Sequence, residues 1–566
     1  MADIVALPAS VIDLMAAGEV IDSPAAVVRE SAENAIDAGA SRITVDIYPQ
    51  RWQVRLADNG AGMSLDDLQQ AATPHSTSKI QTLTDLQQVM SLGFRGEALH
   101  SLAQLAELAI ASRTGESQTG WQVWYSTTGT VLDQEPVAIA PGTIVTVSHL
   151  FANWETRRQA LPSLSAQLKL VQLTIYQLAL CHPHITWQVQ QNDQPWFTLY
   201  SGKNARFILP QILREVHSED LVEWQTELNY SPADSVTETS APASLAIVLG
   251  LPDRCHRRRP DWVKIAINGR CIQFPELEQL VIQTLRRTLP RDRFPVCFVH
   301  LQADPTTIDW NRHPAKSDVY LKHLEQWRDR LVTAIHEALQ LKPEALPESL
   351  YASRVGQLLK TAEAEQGYNV NRQITANSAA HLSSESVTPL RAVAQLHNTY
   401  IIVEHPGGIW LVEQHIAHER VLFEQLCDRW SIQPLGTPIL LDHLTPHQIE
   451  QLTRLELDIE PFGEQIWAIR SAPAPLIERD DCPDALREIS LGGDMQTAQV
   501  AIACRTAIRN GTPLTLSEMQ QLIQQWQQTR NPRTCPHGRP ICLNLEESSL
   551  SRFFRRHWVI GKSHGI

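Results

Sequence analysis

In the stretch ESAENAIDAGA at 30 to 40, the residues Glu30, Glu33, Asn34 and Asp37 recur at i, i+3, i+4 and i+7. Read as a helix that stops at Gly39, the stretch carries three carboxylates and an amide on one face. Like charges at this spacing repel by about 0.2–0.5 kcal/mol per pair, and no Lys or Arg inside the stretch relieves them. A second chemically dense set lies toward the other end. In VEQHIAHERVLFE, 412 to 424, the residues His415, His418 and Glu419 share one helical face at metal-ligand spacing. Cys535 and His537, two apart in CPHGRP, can point at one ion, and Cys504 in ACRT can join them. Imidazole, thiolate and carboxylate together suit Zn²⁺ or Mn²⁺ better than Mg²⁺. Singly, each of these residues reads as a satisfied core histidine or a reduced core cysteine; as a set they point to a metal.

Three glycine- and hydroxyl-bearing loops accompany the acidic stretch. DNGAGM at 58 to 63 follows a strand-like run and places glycines where a turn needs positive φ or close backbone approach. HSTSKI at 75 to 80 supplies Thr77, Ser78 and Lys79. GFRGEALHSL at 93 to 102 runs from Gly93, Phe94, Arg95 and Gly96 through Glu97, Ala98 and Leu99 into a helix, whose first backbone N–H groups and dipole favour an anion. The common phosphate signatures are absent. No G-x-x-x-x-G-K-[ST] occurs, the GKS at 561 to 563 lacking its upstream glycine, and GAGMSL lacks the third glycine of a dinucleotide fingerprint.

These residues need a scaffold of several domains, since 566 residues exceed the roughly 100–200 of one domain. The 43% hydrophobic and 19% charged composition permits packed cores and excludes disorder throughout. The start, MADIVALPASVIDLMAAGEV, has no basic segment followed by an apolar one, and no apolar run is long enough to span a bilayer, so a cytoplasmic protein is expected, to which the family resemblance described below adds nucleoid association. Nine cysteines between Cys181 and Cys542 show no paired framework, which favours reduced thiols or metal ligands. A net charge of −14 argues against bulk affinity for nucleic acid, but RCHRRRP at 254 to 260 and RRTLPRDRF at 286 to 294 are local basic patches.

Alternation of helical patterns with runs such as SRITVDIYP and RWQVRLAD predicts an α/β or α+β domain over residues 1 to about 215. A smaller α+β domain is expected from about 216 to 340, with strands in SLAIVLGLP, WVKIAINGRCIQF and FPVCFVHLQ and helices in LEQLVIQTLRRTL and LEQWRDRLVTAIHEAL. Residues 341 to 390, rich in Ser, Ala, Pro, Asn, Gln and Glu, read as a flexible linker. From 391 to 566 two strands around a Pro-Gly-Gly turn, then a helix, open a C-terminal domain.

AAGEV, ENAIDAGA, DNGAGM, HSTSKI and GFRGEAL, in this order, resemble the GHKL ATPase superfamily and, within it, the MutL family of mismatch-repair proteins, over nearly the whole chain. The resemblance implies an α+β multidomain protein: a GHKL (Bergerat-type) α/β sandwich ATPase domain, a ribosomal-S5-like transducer domain, a linker, and an α/β C-terminal dimerisation and endonuclease domain. It gives Glu30 the role of general base in ATP hydrolysis and Asn34 that of Mg²⁺ ligand, and answers what the acidic stripe is for. Neighbouring carboxylates should raise the basicity of Glu30; Glu33 and Asp37 either supply that field or serve structurally, by capping or by pairing with an arginine. Asp58 is assigned to the adenine amino group, with Gly62 in the same turn and Thr143 in the adenine-side network. Residues 77 to 79 and 93 to 99 form the lid and phosphate cradle. Lys316, in IDWNRHPAKSDV, is the lysine that reaches the γ-phosphate, so that nucleotide state sets the domain angle. One departure lies after HLF, where ANWETRRQAL at 152 to 161 keeps Asn153 and the arginines but lacks the proline usual in the family.

The C-terminal set resembles the endonuclease motif D-Q-H-A-x-x-E-x-x-x-x-E of nicking members of the family. Here Glu413 replaces the aspartate and Ile416 the alanine, and Glu424, nearly opposite His415 on an ideal helix, reads as structural. QPLGTP at 433 to 438 stands in the region of a sliding-clamp peptide. The implied partners are mismatched DNA, the mismatch-recognition protein MutS, a sliding clamp and a second copy of the chain, with no membrane. The favoured function is an ATP-switched, metal-dependent nicking protein; the alternative is a non-enzymatic matchmaker whose C-terminal metal is structural. A topoisomerase subunit finds no support in the C-terminal motifs, and a sensor kinase would bring a phosphoacceptor helix that the sequence lacks.

Overall fold

The computed structural model describes residues 8–80, 82, 85, 88–89, 91–93, 96–228, 243–310, 319–340, 390–405 and 408–546. Phe94, Arg95, Lys316 and nearly all of the expected linker lie outside the described residues. The chain forms two compact units, one of Met1–Thr284 and Phe294–Ala338, the other of Leu285–Arg293 and Leu339–Ile566. Among the described residues, no helix is long and apolar enough to cross a membrane.

The first unit is built on an eight-stranded sheet of β1 (Arg42–Tyr48), β2 (Gln53–Asp58), β3 (Glu107–Arg113), β4 (Gly120–Tyr125), β5 (Val131–Val137), β6 (Gly142–Ser148), β7 (Thr186–Gln191) and β8 (Gln194–Leu199). Their spatial order is β5-β4-β3-β6-β2-β1-β7-β8, antiparallel except where β1 runs parallel to β7. Alternation makes one side of the central strands apolar, so Ile43, Val45, Leu56, Ile110 and Val145 join a core with Val27, Val28, Ala32 and Ala35 of the helix Pro24–Asp37. That helix starts where the sequence directs it. Ser23 accepts a hydrogen bond from the Ala26 N–H at 3.3 Å, and Pro24 stands at the first helical position. It stops at Gly39 (φ +77°), where the Ala40 N–H reaches back to the Ala35 carbonyl.

A five-stranded sheet follows, ordered β13-β12-β15-β10-β9, from β9 (Leu221–Leu228), β10 (Ala243–Gly250), β12 (Val263–Ile267), β13 (Arg270–Ile272) and β15 (Cys297–Gln302). The short strands β11 (His256–Arg257) and β14 (Phe294–Pro295) pair with each other, as do β16 (Ile308–Asp309) and β17 (Tyr320–Leu321). The helix expected over LEQLVIQTLRRTL is shorter than its pattern, ending at Leu285.

In the second unit, β18 (Arg391–Leu396), β19 (Tyr400–His405), β20 (Gly408–Glu413) and β24 (Cys542–Glu546) make one sheet. The strands β21 (Ile432–Asp442), β22 (Ile459–Gly463) and β23 (Ile466–Pro473) make a second, ordered β21-β23-β22. The helix Gln414–Asp428 contributes Ala417 and Val421 to the core of the four-stranded sheet, and Phe423 and Leu426 to the other core. QPLGTP is part of β21, with Gln433 and Pro434 paired to β23 and a register shift before Ile439.

The turn after β2 shows what the DNGAGM glycines do. A Cβ on Gly62 (φ +73°) would lie 2.1 Å from the Arg113 carbonyl oxygen, and the Ala61 N–H bonds the Ala38 carbonyl at the end of the acidic helix. Backbone has no room to yield here, so Gly62→Ala should destabilise the first unit by about 3 kcal/mol, combining left-handed strain with a steric clash; the shift in urea midpoint measures it.

Candidate nucleotide and metal sites

Helix Pro24–Asp37 turns its carboxylates inward: Glu30 and Glu33 are 4% and 1% exposed. Burying carboxylates costs several kcal/mol each unless cations meet them, and cations do arrive. This corrects the expectation of an unrelieved acidic stripe. Arg270 of β13 grips Glu33 with both arms of its fork, Nε to Oε1 at 3.1 Å and Nη2 to Oε2 at 2.7 Å. Lys79 places Nζ 2.5 Å from Asp37 Oδ2 and 3.0 Å from Asn34 Oδ1, and Arg29 lies 3.3 Å from Glu30. Of the two uses open to Glu33 and Asp37, the structure realises the pairing one.

Asp37 does more. Its two oxygens accept the N–H groups of Leu92 and Gly93, each at 2.9 Å, so the start of the glycine-bounded loop is seated on the helix end. Lys79, Asn34 and Asp37 therefore meet where that loop begins, and a Cβ on Gly93 would stand 2.8 Å from the Lys79 ammonium. Thr77 Oγ1 accepts from the Lys79 N–H at 3.2 Å. Gly96 (φ +63°) rests against the backbone of Ser76, and Glu97 sits 3.5 Å from His75. Ala98 and Leu99 begin the helix Ala98–Leu105, which has no side-chain cap.

Near the turn after β2, the sheet register sets Asp58 opposite Thr143, and Thr143 opposite Ser112. Asp58 Oδ1 accepts from the Gly60 N–H at 2.8 Å. Burial holds the Asp58 carboxyl above its usual range, against the lowering effect of backbone donors at Gly60 and Thr143. Ser112 Oγ donates to the Gly142 carbonyl at 2.9 Å, accepts from the Met63 N–H at 2.8 Å, and lies 2.9 Å from Thr143 Oγ1. Ser112 and Arg270 are the residues sequence reading missed. Arg270 left a trace: an arginine directly after an Asn-Gly hairpin signal, in an otherwise apolar strand. In the loop that departs from the family pattern, Asn153 donates to the Gln104 carbonyl, Arg157 to that of Gly18, and Arg158 stacks 4.3 Å over Trp52.

Of the four arginines in RCHRRRP, Arg254, Arg258 and Arg259 are exposed, and Arg254 pairs with Asp253 and Arg257 with Asp261.

In the second unit, Glu419, Cys535 and His537 bring one potential ligand atom each within 4.8 Å of one another. Glu419 is fully buried, with Oε1 2.7 Å from His537 Nδ1 and Oε2 2.8 Å from Arg539 Nη2. A tight turn shapes the other side: the Cys535 N–H donates to the Arg539 carbonyl, and the His537 N–H to Cys535 Sγ at 3.3 Å. Burial resists ionisation of the Cys535 thiol, but the neighbouring His537 and Arg539 outweigh it and hold the thiol below its usual range. His537, bonded to Cys535 and Glu419, is pushed up to about 9. This group does not include His415 or Cys504. His415 Nδ1 donates to the Ile508 carbonyl at 2.9 Å, and His418 Nδ1 accepts from the Ile508 N–H at 2.9 Å. Burial, with His415 nearby, lowers His418 to about 4. Glu413 is the N-cap of its helix, accepting from Ile416 N–H at 2.6 Å and His415 N–H at 3.4 Å. Glu424 accepts from the N–H groups of Arg530 and Asn531, the structural use its helical position suggested.

Three family models match successive parts of the chain: "Histidine kinase-, DNA gyrase B-, and HSP90-like ATPase" over residues 22–142, "DNA mismatch repair protein, C-terminal domain" over 223–340, and "MutL C terminal dimerisation domain" over 393–514. The DNA mismatch repair protein MutL of Nostoc punctiforme is 56% identical over the full length of both chains. That of Nostoc sp. is 57% identical over 99% of each. The MutL of Methanoculleus marisnigri is 30% identical over 98% of this chain and all of its own. With relatives of this identity matching from end to end, the chain belongs to the MutL family of DNA mismatch repair proteins.

Proposed function

We propose that this mismatch-repair protein binds and hydrolyses ATP in the cleft between the acidic helix and the Asp58 turn, and uses the nucleotide state to switch a DNA clamp. The observation that carries the reading is the placement of Glu30 and Asn34 one turn apart on a helix whose other acids, Glu33 and Asp37, already hold their own cations. Glu30 orients a water and takes its proton. Asp58, with the Ser112–Thr143 pair behind it, receives the adenine amino group, and residues 77 to 79 with 93 to 99 cradle the phosphates. Asn34 fits a cation, because its amide oxygen already faces the Lys79 ammonium. Mg²⁺ held there through Asn34 would neutralise charge on the phosphates. Lys316, outside the described residues, takes the γ-phosphate in this reading and makes the second domain responsive to hydrolysis.

The second unit, we infer, pairs two copies of the chain and nicks DNA. Pairing is supported by an exposed apolar sheet face on which Ile409 of β20 stands opposite Leu545 of β24, beside exposed Leu543. Nicking is supported by the convergence of Glu419, Cys535 and His537, a donor set that fits Zn²⁺ or Mn²⁺. A metal held by these residues would supply Lewis acidity and a hydroxide for phosphodiester hydrolysis. His415 and Cys504 are the further ligands we assign. A second reading, a matchmaker with a structural metal, is favoured by one observation: the Glu413 carboxylate is engaged in capping its helix. Mismatched DNA, MutS and, through QPLGTP, a sliding clamp are the proposed partners.

Glu30→Ala should lower ATP turnover by about 100-fold or more while nucleotide affinity by calorimetry changes little; loss of both together would remove Glu30 from the role of base. Supercoiled plasmid incubated with Mn²⁺ should accumulate nicked circles with the native protein and none with Cys535→Ala or Glu419→Ala, and both variants should bind less metal by elemental analysis. Metal retained without nicking in the native protein would select the matchmaker. Because Arg258 and Arg259 are exposed and stand outside the ion pairs that Arg254 and Arg257 make with Asp253 and Asp261, Arg258→Ala/Arg259→Ala should flatten the slope of log K against log salt for DNA binding by about 2. An unchanged slope would move the DNA path elsewhere.

A further inference from the structure

The contact between Arg270 and Glu33 joins the five-stranded sheet to the helix that bears Glu30 and Asn34, and its surroundings are organised around it. The hairpin β12–β13 turns at Asn268 (φ +46°) and Gly269 (φ +83°), the geometry of a tight two-residue turn. Its tip is held on both sides. His182 Nε2 donates to the Gly269 carbonyl at 2.9 Å, and the Gly269 N–H donates to His300 Nε2 at 3.0 Å. A Cβ on Gly269 would come within 3.0 Å of the His182 ring. The next residue is Arg270, 6% exposed, with its guanidinium on Glu33, on the Leu92 carbonyl, and 5.2 Å from the centre of the Trp310 ring. Trp310 leads in sequence toward Lys316.

Leu92 is bracketed by this arrangement. Arg270 takes its carbonyl while Asp37, one helical turn beyond Glu33, takes its N–H. Two apolar side chains of similar volume would join sheet and helix at a smaller desolvation cost than a buried ion pair. What a planar fork adds is direction, because two parallel bonds fix the rotation of the carboxylate they hold and hence of the helix carrying it. Each residue step along a helix turns the side chain by about 100°, so the setting of Glu33 also sets Glu30 and Asn34.

We propose that Arg270 is a positioning residue for ATP hydrolysis, a single guanidinium that fixes both the Glu30–Asn34 face of the acidic helix and the Leu92 ledge from which the phosphate-cradling loop departs. The inference rests on the reading of Glu30 and Asn34 given above. Arg270→Lys keeps the charge, but an ammonium cannot hold Glu33 with two parallel bonds and also reach the Leu92 carbonyl. The expected result is a fall in kcat of about tenfold to 100-fold, the scale of a small misplacement of catalytic groups, with ATP dissociation constant within about threefold of native. Combining Arg270→Lys with Glu33→Gln should lower kcat no further than the worse single change, since both act through one contact. If Arg270→Lys does not fold, Glu33→Gln/Arg270→Gln, a neutral pair of matching shape, carries the same expectation. A folded variant with native kcat overturns the proposal, and so does equal loss of affinity and turnover, which marks general loosening. Glu30→Ala run alongside separates the two levels. If it turns over normally, the reading of the ATP site falls; if it is inactive while Arg270→Lys is native-like, only the role of Arg270 falls.

Discussion

Carboxylates buried on one helix must be met by positive charge, and in this chain the cations come from far away in sequence. Glu33 has almost no contact with solvent, and its partner Arg270 lies 237 residues further on. Removing one member of such a pair leaves an uncompensated buried charge, at a cost of about 3–5 kcal/mol. The arrangement of the first unit follows from this constraint. The eight-stranded sheet supplies the floor on which the helix lies, and the five-stranded sheet supplies the hairpin that delivers the guanidinium. Lys79 then completes the neutralisation at Asp37, and the backbone at Leu92 and Gly93 closes over the same carboxylate. Glu30 and Asn34 are left on a helix whose orientation is fixed from several sides.

The second unit solves a related problem with a different outcome. Glu419 is as buried as Glu33, but its partners are His537 and Arg539 from one turn that also carries Cys535. A planar arginine fork alone would make a closed ion pair. An imidazole and a thiol beside the carboxylate make a donor set, in which the proton on His537 and the charge on Arg539 occupy ground that a metal ion could take. The acid on the first helix is thus held for orientation, whereas the acid on the second is held beside exchangeable donors.

Local rules carried much of the architecture. Ser23 and Pro24 start the acidic helix and Gly39 ends it, the Asn-Gly pair at 268 and 269 makes a hairpin, and the glycines after Asp58 make a turn no larger residue fits. The helix over LEQLVIQTLRRTL shows the limit of pattern alone, since it stops at Leu285 although helix-forming residues continue. Ser112 was illegible for another reason: a lone serine in a strand gains meaning only when the order β3-β6-β2 lines it up with Thr143 and Asp58.

By itself the sequence determined the family, through the order of its motifs, and which acids share a helix face and which glycines make a turn, because spacing along a helix or within a turn is a local property. Which cation neutralises which acid was decided only in three dimensions. Arg270 on Glu33, Lys79 on Asp37, and the CPHGRP turn on Glu419 all join segments whose separation along the chain says nothing of their distance in space. Sheet order and the cost of burying charge, neither of them written in any short stretch, select those partners.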